Sequence, residues 1–193
     1  MTRTLIAAAA IALAGSAALA EPVAYEFDKS HTLIRASWTH QDYSTQELHF
    51  TDYDGTLELD LEDPSASAVD ITFNLIDGFW VGAHHERFIN HLNSDDFFET
   101  EINPTARFVA TGFETEDGET GTMTGDLTMN GQTHPVSLSV MLNKQGETND
   151  GATKLGFTAT GSLMRSEWDM GFAVPNVSDE IDLFISTELV EAE

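Results

Sequence analysis

The chain has 193 residues, with 33 Asp and Glu against 8 Lys and Arg, a formal net charge of −25 and no cysteine. So few cations exclude nucleic acid as a partner, because polyanions are held by clustered Lys and Arg that displace counterions. The missing cysteines exclude disulfides, thiol nucleophiles, covalent haem attachment and cysteine zinc sites.

The first segment, MTRTLIAAAAIALAGSAALA, joins a basic start at Arg3, an apolar run from Leu5 to Leu13 and a small-x-small signal at Ala18-Leu19-Ala20. This pattern predicts a secretory signal peptide over residues 1–20. It is not a membrane span, since the run falls short of the roughly 20 apolar residues that a spanning helix needs. The remaining segment, 21–193, is expected to form one exported domain with its own core. Export without disulfides points to a bacterial periplasm. Losing Arg3 leaves the mature chain one unit more negative, a self-repulsion that salt screens. Such a surface reads as solvated and suited to a saline habitat; low-affinity cation collection is the alternative.

From Tyr25 onward, apolar residues alternate with period two. Ile34, Ala36 and Trp38 share one face, Leu57, Leu59 and Leu61 the next, then Val69, Ile71, Phe73 and Leu75. Later runs repeat this through Met123, Leu127 and Met129, Val136 to Leu142, Leu155 to Leu163, and Ile181 to Ile185. Such alternation predicts half-buried antiparallel strands, about eight or nine of them. Asp54-Gly55, Asp117-Gly118, Asn130-Gly131 and Asp150-Gly151 supply hairpin bends between them. A strand series without linkers or repeated helices predicts an all-β barrel or sandwich, and a closed barrel is favoured. One segment breaks the rhythm. Between Gly82 and Asn93, Phe88, Ile89 and Leu92 recur at helical spacing, which predicts a short helical crossover.

That crossover lies in AHHERFINHLNSDDFF, which at first suggests a metal site. His84 and His91 are seven residues apart, about 10 Å along a helix axis, and cannot converge on one ion. His85-Glu86 begins a zinc-protease motif, but residue 89 is Ile where the second histidine is required. No metal site is expected here. Asp52-Tyr53-Asp54-Gly55 is a fragment of a calcium loop without its further ligands. His31, His40 and His49 are spaced by nine along two strands. No G-x-S-x-G elbow, S-x-x-K pair or phosphate-cradling loop is present, and no catalytic residue is assigned. What stands out is the apolar face: Phe27, Trp38, Phe73, Phe108 and Phe157 fall on one side of the sheet. An eight-stranded barrel is either filled by such side chains or holds one small ligand, and both readings are open at this point.

Five ordered blocks resemble the YceI family across nearly all of the segment after residue 20. They are YEFDKSHTLI from Tyr25 to Ile34, RFINHLNSDDFF from Arg87 to Phe98, Pro104 followed by Arg107-Phe108, GDLTMNGQTHPV from Gly125 to Val136, and RSEWDMG from Arg165 to Gly171. The resemblance implies an extended eight-stranded antiparallel lipocalin-like β-barrel with one short helical crossover, located in the periplasm. It implies a pore that holds a polyisoprenoid or a related amphiphile, such as an isoprenoid quinone or fatty-acid derivative, for carriage or storage. No cofactor other than this bound lipid is implied. On that reading Phe27, Trp38, Phe73, Phe108 and Phe157 hold the tail, while Arg87 or Arg165 with His31 or His40 meets the polar head. An arginine in so acidic a chain is also expected to have a nearby carboxylate.

The chain departs from the family pattern at Gln41-Asp42-Tyr43, where a glycine-containing turn is usual, at Asp169, where glycine is common, and at Phe79-Trp80-Val81. Its charge also predicts weak unaided binding to anionic membranes, which attract basic segments. A homodimer is a further candidate partner. The rival readings are a periplasmic stress or interaction protein with a filled barrel, a hydrolase or isomerase using the same cavity, and a metal-binding protein.

Overall fold

In the computed structural model, which describes residues 21–82, 85–115 and 117–193, the alternating segments form a single antiparallel sheet closed on itself. The expected signal peptide lies outside the described residues. In chain order the strands are β1 (Val23–Phe27), β2 (Leu33–His40), β3 (Ser44–Phe50), β4 (Tyr53–Leu59), β5 (Ala68–Asn74) and β6 (Phe79–Trp80). Helix α1 (His85–Leu92) follows, then β7 (Thr105–Thr115), β8 (Thr120–Met129), β9 (Gln132–Glu147), β10 (Thr153–Met164) and β11 (Glu180–Glu191). The ring runs β1-β4-β5-β7-β8-β9-β10-β11 and closes where β1 pairs with β11. Among the described residues it is an eight-stranded antiparallel barrel with one short α-helix, as the sequence leads one to expect.

Eleven segments make eight strands because three of the strands are broken in the middle. The first half of β11 pairs with β2 and its last residues pair with β1, so β1 and β2 lie end to end along it. The break is a 3-10 turn at Lys29–His31, capped by Asp28, whose carboxylate accepts from the Ser30 N–H at 3.2 Å. β3 and β4 are likewise broken at Thr51-Asp52, and β5 and β6 at Leu75–Gly78. At the end of the barrel built by β2, β3 and β6, the helix and the segment 93–104 cover the gap between β6 and β7. Phe88 and Leu92 face the barrel, with Leu92 buried, as helical spacing predicts.

Three of the four expected bends are hairpin turns. Asn130 and Gly131 hold φ of 48° and 71° between Met129 and Gln132, the two-residue turn whose twist matches its strands. Gly118 and Gly151 also lie at positive φ, at the β7–β8 and β9–β10 tips. Asp54-Gly55 is a correction, because Gly55 sits inside β4, opposite Ile71. Any side chain there would collide with the Asp70 carbonyl, so the glycine serves close strand approach rather than a turn.

At the α1 end the chain between β10 and β11 folds inward. Trp168 is fully buried; its indole N–H donates to the Leu127 carbonyl at 3.1 Å, and its ring meets the edge of His134 at 5.1 Å. Asn130 donates to the Trp168 carbonyl at 2.9 Å, tying this plug to the β8–β9 turn. Trp168→Phe removes the indole bond to the Leu127 carbonyl and leaves a void. It is expected to cost about 2 kcal/mol, read as a lower urea midpoint at unchanged slope.

Candidate ligand-binding site

The barrel is hollow. Inward-facing residues such as Ile34, Leu59, Phe113, Met123, Val140 and Phe157 are only partly buried, although they point at the axis. They line a cavity of about 720 Å³, within the range of small-molecule pockets. Its lining extends along β11 from Ile181 to Leu189, about 27 Å at 3.4 Å per residue, so the space is a tunnel. At one end the wall includes Asp60, Pro64 and Ser67 with the β7–β8 tip. At the other it includes His40, Gln41, Phe172 and Asn176.

The lining is overwhelmingly aliphatic and aromatic because strand alternation puts every second residue inside. Seven of the residues expected at the site lie on this wall: Phe27, Trp38, His40, Phe73, Phe108, Phe157 and Arg165. Phe27 meets Tyr53 edge-on at 5.1 Å, Trp38 lies 5.9 Å from Phe88 on the helix, and Phe73 meets Phe50 at 5.5 Å. Phe108 packs over Gly125, where even a methyl group would intrude on its ring. His40 is exposed at the rim, bridging to Val177.

Two expected head-group residues stand apart. Arg87 is exposed on α1, outside the lining. His31 faces outward from the turn between β1 and β2, because the break there turns it off the inward register. Its Nδ1 lies 2.7 Å from Asp28 Oδ2 and 3.7 Å from Glu188 Oε2. Asp28, His31 and Glu188 bring three ligand atoms within 4.8 Å of one another, a grouping that sequence spacing did not show because Glu188 comes from β11. Lys154 already supplies a cation there, 2.6 Å from Glu188 and 3.5 Å from Asp28, so the cluster is an ion-paired clasp on the closing seam. Hydrogen bonds from Ser30 and then His31 hold the Asp28 carboxyl well below the usual carboxylate range. Its contribution is therefore in place at neutral pH and is lost as pH falls below about 4. Elsewhere, His91 is held by Asp96 at 2.9 Å; His84 lies outside the described residues.

Arg165 lines the tunnel but is not free to bind a head group. It is 4% exposed, and it donates from Nε to the Ser178 carbonyl at 2.9 Å, from Nη2 to Val177 at 3.0 Å and from Nη1 to Met170. The expected carboxylate partner is replaced by backbone oxygens, since Asp179 is taken by the Ser166 N–H and hydroxyl at 2.8 and 2.6 Å. Burial pushes the guanidinium below its ordinary pKa, and the Asp179 charge opposes that shift. Asp60, at the opposite end, is similarly occupied by the Glu62 and Asp63 N–H groups at 2.9 and 2.8 Å. The loop residues Phe172, Ala173, Asn176 and Val177 also belong to the wall. Sequence reasoning missed them because they lie in irregular chain without periodicity.

A family model described as the YceI-like domain matches residues 25–189. The chain belongs to the YceI family. Protein YceI of Escherichia coli O157:H7 is 36% identical over 180 residues, covering 92% of this chain and 91% of that protein. Among solved structures, the YceI protein of Campylobacter jejuni shares 28% identity and superposes with a TM-score of 0.72, over 80% of this chain and 90% of that one. A domain from Saccharophagus degradans, described as polyisoprenoid binding and implicated in plant cell wall breakdown, has the same fold at a TM-score of 0.60 and 10% identity. It is matched over 88% of this chain and 99% of its own. The YceI barrel thus accounts for the blocks noted in the sequence, including glycine-favouring positions filled otherwise here. Gln41, Asp42 and Asp169 all adopt left-handed backbone, φ 51°, 57° and 59°. Asp169 is compensated by a hydrogen bond from Gln132 at 2.9 Å.

Proposed function

We propose that this protein binds and carries a polyisoprenoid or related long-chain amphiphile, in the periplasm, with the tail in the tunnel and the head at its rim. The single observation that carries this reading is the apolar cavity of about 720 Å³ in place of a filled core. Family membership supports it, as does the polyisoprenoid-binding description of the Saccharophagus relative. The rival reading, a stress or interaction protein with a solid barrel, needs side chains to meet at the axis, and here they do not. With Arg165 spent on carbonyls, the polar lining residues at the α1 end of the tunnel include His40, Gln41 and Asn176. That set suits hydrogen bonding to a quinone, alcohol or amide better than pairing with a strong anion.

Each methylene moved from water into the tunnel gains about 0.8 kcal/mol, so a tail of ~20 carbons gains roughly 16 kcal/mol gross. The competing solvent is a bilayer, in which the tail is equally content, so selectivity rests on tunnel shape and the rim. Organic extraction and native mass spectrometry of the protein purified from a periplasm should show about one lipid per chain. Protein that is empty when isolated without detergent, and that takes up none when offered, would overturn the carrier reading.

A further inference from the structure

We propose that the tunnel end framed by residues 40–44 and 170–178 docks on the surface of an electrically neutral, zwitterionic lipid bilayer, and that cargo passes there. The inference rests on the carrier reading for its purpose, though not for its geometry. The two loops are locked together: the Gln41 N–H donates to the Asn176 carbonyl at 2.6 Å, and His40 bridges to Val177. From them Tyr43, Phe172 and Val174 project into solvent, 88%, 46% and 40% exposed. Phe172 also lines the tunnel and meets His91 and Phe97 at 5.4 and 5.9 Å, so the outer patch is continuous with the apolar interior. A tail leaving a membrane at this point passes from hydrocarbon to tunnel across an apolar rim. At any other face it would cross water.

The 170–178 loop itself is uncharged, in a chain of net charge −25. The opposite end has no such uncharged loop: it carries exposed Asp117 and Glu119 on the β7–β8 tip, Glu62 and Asp63 after β4, and Glu147 and Asp150 at the β9–β10 turn. Pressing those carboxylates on a lipid interface would strip their water without a partner. Tyrosine and phenylalanine, by contrast, settle at interfacial depth. Asp42 and Asp169 flank the two loops in sequence, and Asp96 is ion-paired with His91, which packs on Phe172; these carboxylates set the lipid class. Anionic lipid repels them, so zwitterionic lipid is preferred and salt relieves the difference.

The test compares the wild-type chain, a Tyr43→Ser, Val174→Ser double variant, and Met141→Ser, which removes an exposed apolar side chain from the outer wall. Co-sedimentation uses phosphatidylcholine vesicles with and without phosphatidylglycerol, at low and high salt. Transfer of a fluorescent farnesol derivative from donor vesicles, and its binding in vesicle-free solution, are measured in parallel. Wild type and Met141→Ser should sediment with phosphatidylcholine and, at low salt, less with phosphatidylglycerol. The double variant should lose most sedimentation and slow transfer about tenfold while binding the free probe as before, since neither Tyr43 nor Val174 lines the tunnel. A double variant that sediments and transfers like wild type overturns the docking surface. So does a wild-type dimer through this face that the variant dissolves. Should no protein bind the probe, the carrier reading fails, while sedimentation still decides the docking claim.

Discussion

Replacing Ala159 by tryptophan is expected to empty the protein of lipid while leaving the barrel folded. Ala159 lies on β10 with its methyl group on the tunnel wall, opposite Val140 on one neighbour and Ile185 on the other, both of which also line the space. An indole at this position projects across a passage only one acyl or isoprenoid chain wide, as eight-stranded barrels allow. If it displaces even about four methylenes at 0.8 kcal/mol each, affinity falls roughly 200-fold. Stability should hold or rise, because the ring fills a void instead of forcing packed atoms apart. Thr160→Trp, one residue on and exposed, places the same ring outside the wall and should keep its lipid. Equimolar lipid extracted from folded Ala159→Trp would show that the cargo does not occupy this tunnel.

How much of this was legible in the sequence depends on whether a feature is periodic. Alternation identified the wall, since Trp38, Phe73 and Phe157 point inward for the same reason that their neighbours point out. The Asn130-Gly131, Asp117-Gly118 and Asp150-Gly151 bends were legible because positive φ has a residue signature. Gly55 carries the same signature for another cause, a strand approaching too closely for any Cβ, and composition cannot separate the two. Whether the apolar faces enclose space or fill it depends on barrel radius and shear, which no single strand encodes. The sequence offers His31 and Arg87 as cations for the polar head, yet the break between β1 and β2 turns His31 outward onto Asp28, and Arg87 occupies the solvent side of α1. The clasp with Glu188 and Lys154 joins residues far apart in the chain and leaves no local trace. Arg165 is the clearest case of a residue whose presence was informative while its partner was not. Conventional pairing predicts a carboxylate, whereas the fold offers a curl of carbonyls.

That curl makes Arg165 the position whose loss should cost the most stability. The loop from Met170 to Ser178 has no strand partners of its own apart from the bridge at Val177, and three of its carbonyl oxygens converge on one guanidinium that is 4% exposed. Arg165→Met keeps the length and apolar stem but leaves three acceptors without a donor in a site closed to water. Against roughly 1–3 kcal/mol for each orphaned group, partly regained as the loop relaxes, a net loss of about 3 kcal/mol is expected. For a domain of this size that lowers Tm by about 6–12 °C. Arg165→Lys should recover little of it, because a single ammonium on a flexible stem cannot reach three carbonyls at the angles a planar fork satisfies. The same loop supplies Phe172, Asn176 and Val177 to the tunnel mouth, so both variants should also release lipid faster at temperatures where they remain folded. Lysine restoring wild-type Tm would assign the role of Arg165 to its charge near Asp179, and methionine doing so would remove the guanidinium from the list of what holds this end of the barrel together.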